Sequence, residues 1–424
     1  RMPGRAAPKT VAVMAVAATV LSSCRGRPGT RRVHHLSVLV SLAALAAFGL
    51  HRWKRRLRCL RRALEPDELL DMFASSEAVA GSGLRLPGWM TWGASVVLGG
   101  DGLYHMFFSR WPEQLGHNAW VTNSEVAHAV AGSPLGPWRV RGVALPRRGA
   151  RFWDGQGTHN PTVHWHAQRR EYVLFYIGTT YDDAPPRRGQ PFANRTLYET
   201  AWNSKRVGVA TAATPDGPWR RRDTPVLSPR PGRWDAAITS NPAAAFLADG
   251  STVLLYKSLG IGYPQRNTAR PRPLFKLGAA RSSTSSARGP YRRMHRGTPL
   301  PIPSGPLFAS GAAAAAAAAE DPYLWRCAVT GRLHLLFKTM LPIRRADHSV
   351  AVPGGGLAYT HTADGGGLGW WAPPRLAFNR TMRVARNAEP GVDDIRRAVD
   401  DTRVAEASGT TTTAAGDFQV ADRL

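Results

Sequence analysis

Four acidic residues of this chain stand in or near one repeated pattern: the matched pair Asp154 in Trp153-Asp154-Gly155 and Asp235 in Trp234-Asp235-Ala236, and the neighbours Glu320 and Asp321. Gathered in one cavity they could divide acid/base work, because crowded carboxyls raise one another's pKa until one keeps its proton while another stays ionised. Their spacing says they belong to one pattern. Asp154 and Asp235 each lie six residues before an Asn-Pro dipeptide, Asn160-Pro161 and Asn241-Pro242, and Asp321-Pro322 continues that series 80 residues later.

The elements that must position these acids repeat with the same beat. Each Asx-Pro is followed by an apolar run with an aromatic end: Leu174-Phe175-Tyr176, Leu254-Leu255-Tyr256 and Leu335-Leu336-Phe337. Val207-Gly208-Val209-Ala210 and Leu277-Gly278-Ala279-Ala280 come next, then Gly217-Pro218-Trp219 and Gly289-Pro290-Tyr291. An earlier copy runs through Met106-Phe107-Phe108, Val126-Ala127-His128-Ala129 and Gly136-Pro137-Trp138, and counting back from Phe108 puts Trp92-Gly93 at its Asx-Pro position. Self-similarity at a fixed period means one structural unit used several times. Each unit reads as four short strands: one after the Pro, one ending in the aromatic run, one with Val/Ala alternation and one after the Gly-Pro-aromatic turn. Asp249-Gly250 and Thr330-Gly331 fall where a hairpin needs positive φ. Helical periodicity is confined to 64–73 and to a stretch around Asp393 to Asp401. Tandem four-stranded sheets are the sequence image of an all-β propeller. Four blades are recognisable and the flanks could complete a fifth, giving a propeller domain over 84–390.

First strands line a propeller's axis, so equivalent positions form a ring at one mouth. Trp92, Asn160, Asn241 and Asp321 are expected to converge there, with His159, Ser240 and Glu320 beside the last three. Cleaving a glycosidic bond needs one carboxyl to protonate the leaving oxygen and another to activate water or attack the sugar. Trp89, Trp92, Trp153, Trp234 and Trp325 could offer flat faces to sugar rings. Structural roles compete with these. Asx-Pro can simply form turns, and the recurrence of Trp153-Asp154 as Trp234-Asp235 fits blade closure as well as catalysis. His159 has no counterpart at Ser240 or Glu320, which repetition does not explain. His164 and His166 share a strand face but lack a third ligand, and a surface or core role suits them better.

The series His159-Asn160-Pro161-Thr162-Val163, Tyr172-Val173-Leu174-Phe175-Tyr176, Gly208-Val209-Ala210 and Pro215-Asp216-Gly217-Pro218-Trp219 resembles the five-bladed β-propeller glycoside hydrolases of family 43 and its relatives, the arabinanase, xylosidase and invertase type. The resemblance covers about residues 84–378. It implies five four-stranded antiparallel blades and hydrolysis of a glycan or oligosaccharide by carboxylates. That group uses an Asp base in the first blade, an orienting Asp in the second and a Glu acid in the third, within Glu-Gly-Pro. Glu320-Asp321-Pro322 resembles the last, which implies Glu320 as general acid. The chain departs from the group at Trp92-Gly93, where the first Asp is missing, and at Asn160 in the second blade. The base then falls to Asp154, Asp235 or Asp321, with Asp154 preferred as base or orienting carboxylate, unless the site is reconfigured or inactive. His159, Asn160, Asn241, Trp92, Trp153 and Trp234 are expected to bind the sugar, and no cofactor or metal is expected. A catalytically inactive carbohydrate-binding propeller and an interaction scaffold without a sugar ligand are the alternatives.

Composition sets the remaining bounds. With 424 residues, 43% of them apolar, the chain can bury a large core. The net charge of +27 does not mark a nucleic-acid partner, because residues 1–62 hold fourteen Lys or Arg and no acid, and the rest are scattered. That basic region carries apolar runs at Val11 to Leu21 and at 36–50. The second is shorter than the roughly 20 residues a spanning helix needs, so a signal-anchor or a cleaved signal peptide is expected, with a secretory-route protein that is membrane-anchored or secreted. Asn194-Arg195-Thr196 and Asn379-Arg380-Thr381 are glycosylation sequons that suit this route. Cys24, Cys59 and Cys327 form no disulfide framework, and Cys327 is expected to be a buried small apolar residue. Residues 391–424 read as a polar, disordered tail.

Overall fold

The structure, a computed structural model, describes residues 65–378 except 75, 79–81, 188–194, 261–274, 304–318, 340–342, 345–349, 353–355, 364 and 366, and also describes 383–384. The two N-terminal apolar runs, both sequon asparagines, the helix expected near Asp393 and the tail lie outside the described residues. Among the described residues no helix is long and apolar enough to cross a membrane.

A short helix, α1 (Pro66–Ala74), and strand β1 (Glu77–Ala78) precede the repeats. Each repeat then folds into one four-stranded antiparallel sheet in simple sequence order. The first blade is β2 (Trp89–Leu98), β3 (Tyr104–Pro112), β4 (Glu125–Ala131) and β5 (Arg139–Leu145), with helix α2 (Trp120–Asn123) between β3 and β4. The second is β6 (Gly157–His166), β7 (Glu171–Thr179), β8 (Arg206–Ala212) and β9 (Arg220–Arg221), with helix α3 (Arg195–Asn203) before β8. β10 (Ser240–Phe246), β11 (Thr252–Ser258), β12 (Lys276–Ser282) and β13 (Tyr291–Arg293) make the third. In the fourth, β14 (Ala319–Arg326) and β15 (Leu333–Thr339) pair on to β18 (Leu357–His361) and β19 (Arg375–Phe378). A small hairpin of β16 (Ile343–Arg344) and β17 (Val350–Val352) stands between β15 and β18. Gly250 and Gly331 take φ of +82° and +72° in the first hairpin of the third and fourth blades, as their positions require. Cys327 is buried, its sulfur accepting from the Thr330 amide. Helix α3 has no counterpart in the sequence reading, because its nine residues sit inside a long connection.

The core lies in the seams between blades. Phe107, Leu174 and Tyr176 fill the first seam, Phe175, Val209, Leu254 and Tyr256 the second, and Leu255, Leu277, Leu335 and Phe337 the third. Successive residues of one aromatic run thus face opposite neighbours, which is the two-residue period of a strand buried on both sides. Each fully buried aromatic contributes about 1.5–3 kcal/mol.

Four blades are present among the described residues, not the expected five. The N-terminal flank covers what a fifth blade would have covered. Leu69, Leu70 and Phe73 on one side of α1 pack on Leu336, Tyr359 and Ala377, the face of the fourth blade turned away from the third. Asp67 ties the helix to Arg375 of β19. Leu84 and Leu86 pack with Phe108, Ala127 and Ala129 on the free face of the first blade. Among the described residues the flanks meet in a two-residue parallel pair, β1 with β20 (Arg383–Val384), and neither contributes the four alternating strands of a blade there.

Candidate functional site

The register of all four inner strands breaks at the same place: between Trp92 and Ser95, His159 and Thr162, Ser240 and Ala243, Glu320 and Tyr323. At each break one residue turns left-handed, with φ of +47° at Gly93, +48° at Asn160, +46° at Asn241 and +50° at Asp321. Gly, Asn and Asp are the residues that enter this region at least cost. Pro161, Pro242 and Pro322 follow in the bulge, outside the ladder pairing, where a missing N–H does no harm. The Asx-Pro dipeptide therefore lies inside its strand, not ahead of it. The register also corrects the first blade: Gly93 is the equivalent of Asn160, and Trp92 takes the place of His159, Ser240 and Glu320. Opposite these four on the second strands stand Ser109, Ile177, Lys257 and Lys338. All of these residues share one end of the propeller.

Charge is concentrated on the third and fourth blades of this ring. Lys257 Nζ donates to Glu320 Oε2 at 2.8 Å, and Lys338 Nζ lies 3.4 Å from Oε1. Burial pushes the Glu320 carboxyl up, but the two ammonium groups outweigh it and hold the pKa at about 2. Glu320 is thus ionised at rest, which does not suit the proton-donor role expected of it. Asp321 accepts a hydrogen bond from Asn241 Nδ2, whose own Oδ1 accepts from Ser240 Oγ at 2.8 Å. The second blade contributes Asn160, whose amide donates to Ser109 Oγ at 2.8 Å. Asn160 Oδ1 is buried with no hydrogen-bond partner among the described residues. His159 Nδ1 lies 2.8 Å from Ser124 Oγ, and its ring stacks on Trp120 with centroids 4.6 Å apart. Trp92 meets His117 edge-on at 5.6 Å. Lys205, just before β8, joins the two halves: its ammonium lies 3.5 Å from the Trp202 ring centre and 5.1 Å from that of Trp120, and feels the charges of Lys257, Glu320 and Asp321.

Asp154 and Asp235 are engaged elsewhere. Both are fully buried inside their own blades. Asp154 accepts from Arg148 Nε at 2.7 Å and Tyr176 Oη at 2.6 Å, with Arg221 at 3.4 Å. Asp235 accepts from Arg230 Nε, Tyr256 Oη and Arg293 Nε, each at 2.9 Å. Each carboxylate balances two arginines of which one comes from the fourth strand, so it fastens that strand to the blade. Trp153 and Trp234 stack on the same tyrosines, both with centroids 5.9 Å apart. Glycines leave them room: a Cβ on Gly208 would lie 2.5 Å from Trp153, and one on Gly278 2.8 Å from Trp234. The two Trp-Asp pairs therefore pack the blades, and their rings do not offer free faces to a sugar.

The sequence reading missed Lys205, Lys257, Lys338, Trp120 and Ser124. A signal existed for two of them, since Lys257 and Lys338 each follow the aromatic end of a repeat, Tyr256 and Phe337. His164 and His166 bond Thr162 Oγ1 and the Ser285 carbonyl, each at 2.9 Å. Another imidazole pair, His105 and His128, lies with Asp216 close enough to share a cation. The His105 Nδ1 to His128 Nε2 distance of 2.9 Å is already that of a direct hydrogen bond. A hollow of about 470 Å³ between α1 and the fourth blade, lined by Pro66, Asp67, Tyr359 and His361 among others, shares no residue with the ring.

No family model matches the chain, and no curated protein matches it. Solved structures it is similar to include propeller glycoside hydrolases of the kind its motifs resemble. One is a family 117 glycoside hydrolase of the marine bacterium Zobellia galactanivorans, at 16% identity over 73% of this chain and 76% of that one, with a TM-score of 0.45. A thermostable family-43 glycoside hydrolase matches at 14% identity over 70% and 77%, TM-score 0.40. The endo-arabinase from Bacteroides thetaiotaomicron matches at 14% over 71% and 84%, TM-score 0.40. Likeness at this level carries no chemistry, which has to be read from this chain's own side chains.

Proposed function

We propose that this propeller hydrolyses a glycan at the end that carries the four bulges, with Glu320 as the working carboxylate. The observation that supports this reading is the placement of Glu320 between Lys257 and Lys338, at 2.8 and 3.4 Å, beside Asp321. An ionised carboxylate held this way suits a base or a nucleophile, so the role given to Glu320 shifts from proton donor to proton acceptor or attacking group. Asp321, next in the strand, is the second carboxyl that glycoside cleavage needs. His159, Asn160, Asn241 and Trp92 border the same ring and bind the sugar. The basic-flanked apolar run 36–50 carries the propeller into the secretory route, anchored or released; fractionation of expressing cells tests this, and a cytosolic product would sink it.

One feature favours a second reading, a propeller that binds a glycan without cleaving it. Gly93 gives the first blade the same backbone bend as Asn160, Asn241 and Asp321 but no polar side chain. A panel of aryl glycosides and of arabino-, galacto- and xylo-oligosaccharides separates the readings. Turnover by the wild type that falls about a hundredfold or more in Glu320→Gln supports hydrolysis. Equal, non-zero turnover in both removes Glu320 from the chemistry, and binding without turnover selects the second reading.

A further inference from the structure

Lys205 is a buried cation without a counter-charge of its own. The residue is 2% exposed, and among the described residues its ammonium has no hydrogen-bond acceptor and no carboxylate partner. Only the faces of Trp202 and Trp120 receive it, at 3.5 and 5.1 Å. Glu320 is shared between Lys257 and Lys338, and Asp321 accepts a hydrogen bond from the neutral amide of Asn241. Three ammonium groups thus stand against two carboxylates. A buried lysine in this position is costly unless something anionic completes it.

We propose that Lys205 is the anion-recognising residue of the glycan site, so that the preferred substrate is an acidic sugar whose carboxylate or sulfate sits against this ammonium. This rests on reading the ring as a glycan site. The charge excess supplies the preference, and the faces of Trp202 and Trp120 hold the ammonium in place. Burial and the nearby charge of Lys257 push the Lys205 pKa well down, while Glu320 and Asp321 pull it up less strongly. An arriving anion adds to the upward pull and so holds the ammonium in its charged form, which a neutral ligand does not do.

The test is calorimetric titration of the full chain near neutral pH. The probes are an oligogalacturonate, a sulfated galacto-oligosaccharide and their uncharged counterparts. The expected result is about tenfold tighter binding of at least one acidic probe, as one new charge-assisted hydrogen bond gives. The two acidic arms tell carboxylate from sulfate. Lys205→Met should bring the acidic probe to the affinity of its neutral partner and leave the neutral partner unchanged, and Lys205→Arg should keep the preference. Should the Met variant fail to fold, Lys205→Gln, which keeps a polar head without the charge, takes its place and should lose the preference. Equal affinity for charged and neutral probes overturns the anion proposal and spares the glycan site. Failure to bind any probe overturns both.

Discussion

Lys257 on the third blade reaches across the seam to Glu320 on the fourth, Nζ to Oε2 at 2.8 Å, and both side chains are almost fully buried. The pair ties two blades together and fixes the protonation state of the carboxyl. Removing its closest cation should release that hold. In Lys257→Met the Glu320 pKa is expected to rise from about 2, with Lys338 the only lysine still paired to it. If Glu320 acts as an ionised group, the acidic limb of the kcat/KM profile moves to higher pH in this variant, and an unmoved limb would exclude Glu320 from that limb. Stability follows the same sign. A carboxyl whose folded pKa is depressed contributes above its unfolded value, and that contribution is lost as pH falls from about 4.5 to about 2.

Asp235 and Asp154 should behave as structural acids. Asp235→Asn leaves Arg230 and Arg293 facing a neutral amide, and breaking a buried ion pair from one side costs about 3–5 kcal/mol. Tyr256→Phe removes only the hydroxyl that donates to the same carboxylate, for about 1–3 kcal/mol. Denaturant unfolding measures both losses. Glycan affinity per folded molecule should stay at the wild-type level. A full-affinity loss in folded Asp235→Asn would return this acid to the binding machinery.

Much of the fold is legible in the sequence because each blade is specified locally. The aromatic runs ending at Tyr176, Tyr256 and Phe337, and the turn glycines Gly250 and Gly331, act within a few residues of where they stand. The blade number was not legible, because it depends on α1, whose Leu70 and Phe73 cover a face more than 260 residues away in the chain, at Leu336. The site was legible in part. Glu320 and Asp321 announce themselves by their place in the repeat, but so do Asp154 and Asp235, and the sequence does not show the arginines that enclose those two. Lys205 and Trp120 sit in connections outside the repeated pattern, so alignment of the copies passes over them.

Acid should weaken this protein before Glu320 is fully protonated, through two histidines, His128 buried and His164 half-buried. Burial first, and the neighbouring His105, push the His128 pKa down to about 4, and burial alone does the same to His164. Each is neutral when folded but takes a proton when unfolded, so the unfolded state binds more protons between about pH 6.5 and about 4. Stability is complete above that window and falls as pH drops through it. His128→Gln should flatten this part of a stability-versus-pH curve measured with urea. The segment below about pH 4.5, where Glu320 titrates, should keep its slope.

Gly93 decides between the two readings of the site. Its φ of +47° matches Asn160, Asn241 and Asp321, so the backbone at this position already has the form that an Asx residue takes three times in the same ring. Gly93→Val places a β-branched residue in the left-handed region and should cost about 1–2 kcal/mol or more. Gly93→Asn should cost less, since Asn tolerates this region. Gly93→Asp adds a carboxylate at the one ring position without a polar side chain. If the protein binds glycans but lacks a base, this variant should raise turnover of whichever oligosaccharide binds the wild type, with little change in affinity. If the wild type already hydrolyses through Glu320 and Asp321, a further acid in the ring should leave turnover unchanged or lower it. Turnover and affinity measured on the same folded preparation distinguish the two, and a variant that neither folds like the Asn form nor binds like the wild type would show that the first blade does not belong to the ring.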